Sequence, residues 1–188
     1  MHSLRPDGTS TVSQQDSVKK TVESGDLRHF LEAYEWTTSE RLTVLESCER
    51  PDFICARPDG SRVGLELVKV TDPELRSAHE TLYGRYSMEA GEAIDWILAA
   101  IERKEAKRQE EDWTYSDNTI LVVQLMDCRL SSMSYLLENA DYKPHKFREI
   151  WVADYAGIEP FGIVELFGLH PPEWWGHHER YAGRKPFG

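Results

Sequence analysis

The chain opens with a polar stretch and continues with hydrophobic residues at helical spacing. Residues 1–24 are rich in Ser, Thr and Gln without an apolar period, which predicts a flexible N-terminal arm. Four apolar residues then recur at i, i+3, i+4 and i+7 and predict a helix that ends near Trp36: Leu27, Phe30, Leu31 and Tyr34. Thr37 and Glu40 match the S/T-x-x-E pattern of a helix start and predict a second helix. Its buried side would be formed by three residues: Leu42, Leu45 and Cys48.

A β-hairpin is predicted next. Residues 51–56 form a short apolar run, and Arg62–Val70 forms a longer one. Between them, residues 58–60 read Pro-Asp-Gly, in which Pro fixes φ and Gly tolerates a positive φ, as tight turns require. The two runs therefore predict adjacent antiparallel strands.

The second half of the chain alternates helical and strand patterns. Residues 88–108 carry apolar residues on one face and predict the longest helix. Thr119–Leu125 is almost continuously apolar and β-branched, which is typical of a central strand covered on both sides. Residues 131–139 predict a short helix, and residues 149–153 and 161–167 predict two more strands. This order predicts an α/β fold, with helices on both sides of a mixed sheet.

Length and composition fit one domain of this kind. The 188 residues are 40% hydrophobic and 11% aromatic, which excludes a chain that is disordered throughout. We expect a domain over residues 25–168 and an irregular aromatic tail over residues 169–188 that packs on it. No apolar run reaches the roughly 20 residues of a membrane span, so we expect no membrane association. Three cysteines without C-x-x-C spacing, and no signal-like start, predict a cytoplasmic protein.

The charge of the chain limits its modes of binding. With 22 Lys and Arg against 33 Asp and Glu, the net charge is −11, which argues against a protein that coats nucleic acid by charge alone. An acidic chain remains compatible with local contact to a phosphodiester, because a site made of carboxylates obtains its positive charge from bound metal ions.

The hairpin contains the candidate chemistry. Asp52 opens its first strand, and Glu66 interrupts an apolar run in the second, where a buried carboxylate is unfavourable without a partner. Gly64 shares a face with Glu66 because strand side chains alternate, and we expect it to leave open space beside the carboxylate. The hairpin brings Asp52 towards Glu66. Two converging carboxylates predict a hard-oxygen site for Mg²⁺ or Mn²⁺.

These residues resemble the PD-(D/E)xK nuclease superfamily, which has the restriction-endonuclease-like αβββαβ core. The resemblance covers about residues 26–155 and rests on R-P-D-F, on D-G-x-x-x-G-x-E up to Glu66, and on I-x-x-K in the long helix. It implies metal-dependent hydrolysis of DNA with Asp52 and Glu66 as metal ligands, completed by the backbone carbonyl of Leu67. An acidic residue of the preceding helix often adds a ligand in this family, and we favour Glu46 over Glu40.

The chain departs from the family pattern at the lysine. Two residues after Glu66 stands Val68, and Lys69 is one position too far along and is expected on the opposite face. In some members of the family the lysine comes from the next helix. Lys104 continues the apolar stripe of the long helix and fits that role, with Lys107 in reserve. Such an ammonium would stabilise charge that develops on the phosphoryl group.

Other interpretations of the same residues stay open. Asp52 also suits a turn, Glu66 a solvent-facing edge strand, and Lys104 the rim of a helix. The alternative function is a catalytically inactive protein of the nuclease fold that binds a partner protein or forms a homo-oligomer. A third is an unrelated enzyme that uses the same carboxylates on a small molecule. For the tail we favour packing of Trp174 and Trp175 over base stacking, and no metal site at residues 177–179.

Overall fold

A computed structural model describes residues 11–71, 89–143, 145–158 and 162–180, with only the backbone over 11–24. The described residues contain three α-helices: α1 (Thr11–Thr38), α2 (Ala90–Glu110) and α3 (Leu130–Glu138). They also contain seven strands: β1 (Thr43–Ser47), β2 (Phe53–Ala56), β3 (Arg62–Val70), β4 (Thr119–Leu125), β5 (Glu149–Asp154), β6 (Leu166–His170) and β7 (Gly176–His178).

All seven strands belong to one mixed sheet, in which spatial order follows chain order from β1 to β7. The first three strands form an antiparallel meander, and β3, β4 and β5 are parallel neighbours. Strands β6 and β7 extend the sheet in antiparallel pairing. The two parallel connections pass through α2 and α3, as crossovers between parallel strands require. The predicted α/β class with a mixed sheet is confirmed.

Helices cover the two faces of this sheet. On one face, Leu27, Phe30 and Tyr34 of α1 pack against strand residues that include Leu65 and Trp151. On the other face, residues of α2 and α3 pack against the alternate strand positions, which include Val68, Leu121, Val123 and Val152. Every residue of β4 is buried, as predicted for a central strand covered on both sides. The face covered by α2 also carries the candidate site.

The second predicted helix is wrong. The first helix ends at Thr38, and β1 occupies residues 43–47, where Leu45 is 48% exposed instead of buried. The Oγ1 of Thr38 donates to the carbonyl of Tyr34 at 2.8 Å and accepts from the N–H of Glu40 at 3.1 Å. The Thr38 hydroxyl and Glu40 therefore lie at the end of α1, and not at the start of a second helix.

Among the described residues, the segments nearest the two termini are more regular than the pattern predicted. Residues 1–10 of the predicted arm lie outside the described residues, while residues from Thr11 on belong to α1. The last predicted strand starts later than expected, at Leu166, and continues to His170. In the tail, β7 forms a seventh strand, and the ring of Trp174 lies 6.1 Å from that of Trp151. Residues 181–188 are outside the described part.

Within the described ranges, no helix has the length and apolar character that a membrane crossing requires.

Candidate functional site

The β2–β3 hairpin brings Asp52 and Glu66 together through reciprocal hydrogen bonds. Phe53 pairs with Leu65 in the antiparallel register, so Asp52 comes alongside Glu66 and Leu67. The N–H of Leu67 donates to Oδ2 of Asp52 at 2.8 Å, and the N–H of Asp52 donates to Oε2 of Glu66 at 3.1 Å. Each carboxylate thus accepts from a backbone N–H of the hairpin segment that carries the other. This geometry holds the two acids next to each other.

Lys104 of α2 completes the cluster. Its Nζ donates to Oε1 of Glu66, across the interface between α2 and β3. The side chains are largely buried, with 4% of Glu66 and 17% of Lys104 exposed. Side chains at Glu66 and Val68 point to the face that α2 covers, which is why a helix lysine reaches the strand carboxylate. The structure therefore brings together all three residues that the sequence analysis proposed as catalytic.

Electrostatics of the cluster favour added positive charge. Burial and the nearby negative charge of Asp52 raise the pKa of Glu66 above its ordinary value of 4.5. The ammonium of Lys104 and the N–H of Asp52 lower that pKa in part, but burial and repulsion outweigh them. Lys104 brings one positive charge to a site with two carboxylates. A further cation between the acids would stabilise the ionised form of Glu66.

The space beside Glu66 is filled, contrary to expectation. A Cβ atom on Gly64 would lie 2.7 Å from Cγ of Pro51 and 2.8 Å from Oγ1 of Thr119. Such distances are far inside van der Waals contact, so only glycine lets Pro51 pack against β3 here. Gly64 therefore fixes the position of Pro51, and with it the start of the segment that carries Asp52.

The proposed additional ligands lie elsewhere. Glu46 is on the edge strand β1 opposite Ile54 and is exposed, not on a helix as predicted. Glu40, whose side chain is 47% exposed, pairs with Arg57 at 2.7 Å, and Arg57 in turn contacts the buried Tyr34 and Glu149 on the α1 face. Throughout the described ranges there is no group of three or more His, Cys, Asp or Glu residues arranged to hold a metal ion. The structure thus provides a pair of carboxylates without a third acidic ligand.

The other lysines near the motif do not contact Glu66, and Lys69 lies on the opposite face of the sheet, as the alternation of strand side chains predicts. Val68 is buried in the apolar core under α2. Lys69 points to the other face, where its Nζ lies 2.7 Å from Oδ2 of Asp26 on α1. Lys107, the reserve candidate, pairs with Glu111 at 3.8 Å and has 47% of its side chain exposed. Of these residues, only Lys104 reaches the carboxylate of Glu66.

A pair of carboxylates fits a small divalent cation. Mg²⁺ is commonly held by one or two carboxylates, and its remaining positions are taken by water and substrate phosphates. Asp52 and Glu66 supply hard oxygen ligands, and burial first and the negative charge of Asp52 second raise the pKa of Glu66, so a bound dication would stabilise its ionised form. By this test the donor set suits Mg²⁺ or Mn²⁺.

Sequence reasoning missed a second cluster beside this site. Oε2 of Glu111, just after α2, lies 3.1 Å from Nε of Arg50 and 3.4 Å from Nε1 of Trp113. The Lys107 contact ends on the same oxygen. The available signals were the position of Arg50 directly before Pro51 and the i, i+4 spacing of Lys107 and Glu111. Neither signal shows that the two segments meet.

Comparisons of the chain with protein-family models, with curated proteins and with solved structures find no match.

Proposed function

We propose that this protein is a metal-dependent phosphodiesterase that hydrolyses DNA through a site of the PD-(D/E)xK type. The observation that carries the proposal is the convergence of Asp52, Glu66 and Lys104, which are distant in sequence and belong to three different segments. A buried carboxylate at Glu66, with a half-buried second acid and one ammonium, is poorly explained by packing alone, because apolar side chains of similar volume are usually at least as favourable at a buried position.

The order of elements supports the restriction-endonuclease-like core. The first helix is followed by a three-stranded meander, a second helix and a strand parallel to the last strand of the meander. This order of elements supports an αβββαβ core of the kind that the resemblance implies. Asp52 directly precedes the second strand of the meander and Glu66 lies on the third, which supports the match to the motif.

Each residue of the cluster has a defined role in this proposal. Asp52 and Glu66 hold the divalent ion, together with the backbone carbonyl of Leu67. When bound, that ion neutralises phosphate charge and makes water a stronger nucleophile. In hydrolysis a water oxygen bonds to phosphorus, one P–O ester bond breaks, and the leaving oxygen takes up a proton. Lys104 stabilises the negative charge that increases on the phosphoryl oxygens during this exchange.

Lys104 replaces the missing motif lysine in this scheme. At the usual position, Val68 is part of the apolar core and has no charge to offer. The ammonium of Lys104 reaches the same carboxylate from α2. The lysine therefore stands at a different position in the sequence than in the common motif, but its positive charge still lies beside Glu66.

A second candidate function is a binding protein that keeps the nuclease fold without catalysis. Its support is that Glu66 accepts hydrogen bonds at both oxygens and Asp52 accepts one from Leu67, all within the chain. The acids thus have a structural use that needs no metal. On this hypothesis the protein binds neither Mn²⁺ nor Mg²⁺ at the pair.

Cleavage and metal titration together test the proposal. Purified wild type, Asp52→Asn and Glu66→Gln are incubated with single- and double-stranded DNA and Mg²⁺ or Mn²⁺, with EDTA as the metal-free arm. We expect cleavage by wild type only, and calorimetric Mn²⁺ binding that both substitutions abolish. Lys104→Met is assayed in the same way and is expected to cleave more slowly than wild type; Lys69→Met is its matched control, since Lys69 lies near the motif on the opposite face.

Cleavage that both acid substitutions leave unchanged would contradict the proposed site. A wild-type protein that neither binds Mn²⁺ nor cleaves DNA would favour the binding protein instead.

A further inference from the structure

Three donors from separate positions surround one carboxylate oxygen at the end of α2. Oε2 of Glu111 lies 3.1 Å from Nε of Arg50, 3.4 Å from Nε1 of Trp113 and 3.8 Å from Nζ of Lys107. We call these four residues the Glu111 cluster. Two of the donors carry a full positive charge, so the single carboxylate leaves one positive charge in excess.

The donor set resembles what a phosphate oxygen requires. Guanidinium and ammonium groups are the side chains that most often bind phosphate, and an indole N–H adds a fixed donor. Trp113 is buried, whereas Arg50 and Lys107 each keep 47% of their side chains exposed. Glu111 itself is 25% exposed. An anion arriving from solvent therefore has access to both cations.

The cluster lies beside the proposed metal site. Arg50 precedes Asp52 by two residues, and Lys107 follows Lys104 by three, a rise of about 4.5 Å along a helix axis. The carbonyl of Arg50 also accepts from the N–H of Thr114 at 3.3 Å, which ties its segment to the chain after α2. The segment before β2 thus runs along α2 from the Glu111 cluster to the acid pair.

We propose that the Glu111 cluster is a phosphate subsite for the DNA substrate, in which the carboxylate of Glu111 occupies the place of a phosphate. DNA binding displaces this carboxylate, and Arg50 and Lys107 then hold a phosphodiester next to the one at the acid pair. Glu111 keeps the two cations in position until substrate arrives. The inference rests on the proposed function, since it concerns a second contact with the same substrate.

Binding without cleavage tests the subsite. The affinity for a fluorescein-labelled single-stranded 12-nucleotide DNA is measured by anisotropy in EDTA, for wild type, Arg50→Gln, Glu111→Gln and the double variant. Glu110→Gln is the control, because it removes the same charge one residue away. We expect Arg50→Gln to weaken binding about tenfold, as for loss of a charged hydrogen bond. The slope of log K against log salt should fall in magnitude by about 0.7.

Removal of the Glu111 carboxylate, which competes with phosphate for the two cations, should strengthen DNA binding instead of weakening it. Glu111→Gln is expected to bind several-fold more tightly than Glu110→Gln, and this advantage should shrink in the Arg50→Gln background. Equal affinities of the two Gln variants would overturn the inference, as would a Glu111→Gln gain that Arg50→Gln leaves intact. Absence of detectable binding by every variant would overturn it as well.

The outcome is separable from that of the nuclease proposal. A protein that cleaves DNA through Asp52 and Glu66 but shows no Glu111 effect keeps the nuclease function and loses the subsite. A protein that shows the expected binding changes but no metal-dependent cleavage keeps the subsite and loses the catalysis.

Discussion

Replacing Lys104 by Met removes the ammonium that contacts the buried Glu66 carboxylate. Glu66 then keeps its hydrogen bond from the N–H of Asp52 but still faces the negative charge of Asp52. Because Lys104 lowers the pKa of Glu66 in the wild type, its loss raises that pKa further. The methionine stem fills much of the volume of the lysine, so the change acts mainly through charge.

The size of the effect depends on pH. Removal of one partner from a buried ion pair typically costs 3–5 kcal/mol, and we expect about 3 kcal/mol at pH 7 because Glu66 keeps one hydrogen bond. The folded pKa of Glu66 lies above its ordinary value of 4.5, so the fold favours the protonated acid. The contribution of protonated Glu66 to the free energy of unfolding is present below pH 4.5 and is lost as pH rises through the folded pKa. The loss in Lys104→Met should therefore be close to zero at pH 4.

Chemical denaturation at pH 4 and pH 7 measures this difference. The double variant Lys104→Met with Glu66→Gln should be more stable at pH 7 than Lys104→Met alone, since it no longer buries an uncompensated charge. Equal losses of unfolding free energy at the two pH values would refute the reasoning, and so would a Lys104→Met protein as stable as wild type at pH 7.

Two further predictions concern packing around the site and the sheet. Gly64→Ala should lower the free energy of unfolding by about 1–3 kcal/mol, measured by thermal denaturation, and should weaken Mn²⁺ binding, because the added Cβ would displace Pro51. Gly91→Ala on α2 is the control: its Cβ would meet nothing within 4 Å, so it should be neutral or stabilising. Unchanged stability of Gly64→Ala would contradict this account. Asp154→Ala should cost about 3 kcal/mol in urea titration, since Asp154 is fully buried and accepts from Nε of Arg129 at 2.7 Å. A loss below 1 kcal/mol would argue against it.

Elements with strong local signals were predictable from the sequence. The turn at residues 58–60 and its flanking apolar runs specify the β2–β3 hairpin without information from the rest of the chain. The predicted long helix differs from α2 by two residues at each end, because its apolar face has a full helical period. The strand Thr119–Leu125 has the bounds that its apolar run indicates.

Elements that depend on tertiary pairing were not predictable from the sequence. The apolar residues around β1 are too few to distinguish a helix from a strand, and pairing with β2 decides between them. Its edge position leaves the residues of β1 exposed, so they have no inward face to detect. Residues 11–24 contain neither Pro nor Gly, and nothing in them prevents the helix from extending towards the N-terminus.

The candidate site divides in the same way. A single carboxylate within an apolar run identified Glu66, and the hairpin then placed Asp52 beside it. Lys104 could be predicted from the sequence because the apolar period of α2 showed which face of the helix points inward. The contact between Arg50 and Glu111 joins residues 61 positions apart and depends on where α2 ends relative to the segment before β2, which no local pattern reveals.

The mutual bonding of Asp52 and Glu66 affects how related chains are to be interpreted. Each acid accepts from a backbone N–H of the segment that carries the other, so selection for folding alone would preserve both after any chemistry had been lost. Retention of the pair in a homologue is therefore weak evidence of activity. The ammonium is more informative, since a chain that keeps the acids but replaces Lys104 has kept the hydrogen bonds of the hairpin and given up the charge.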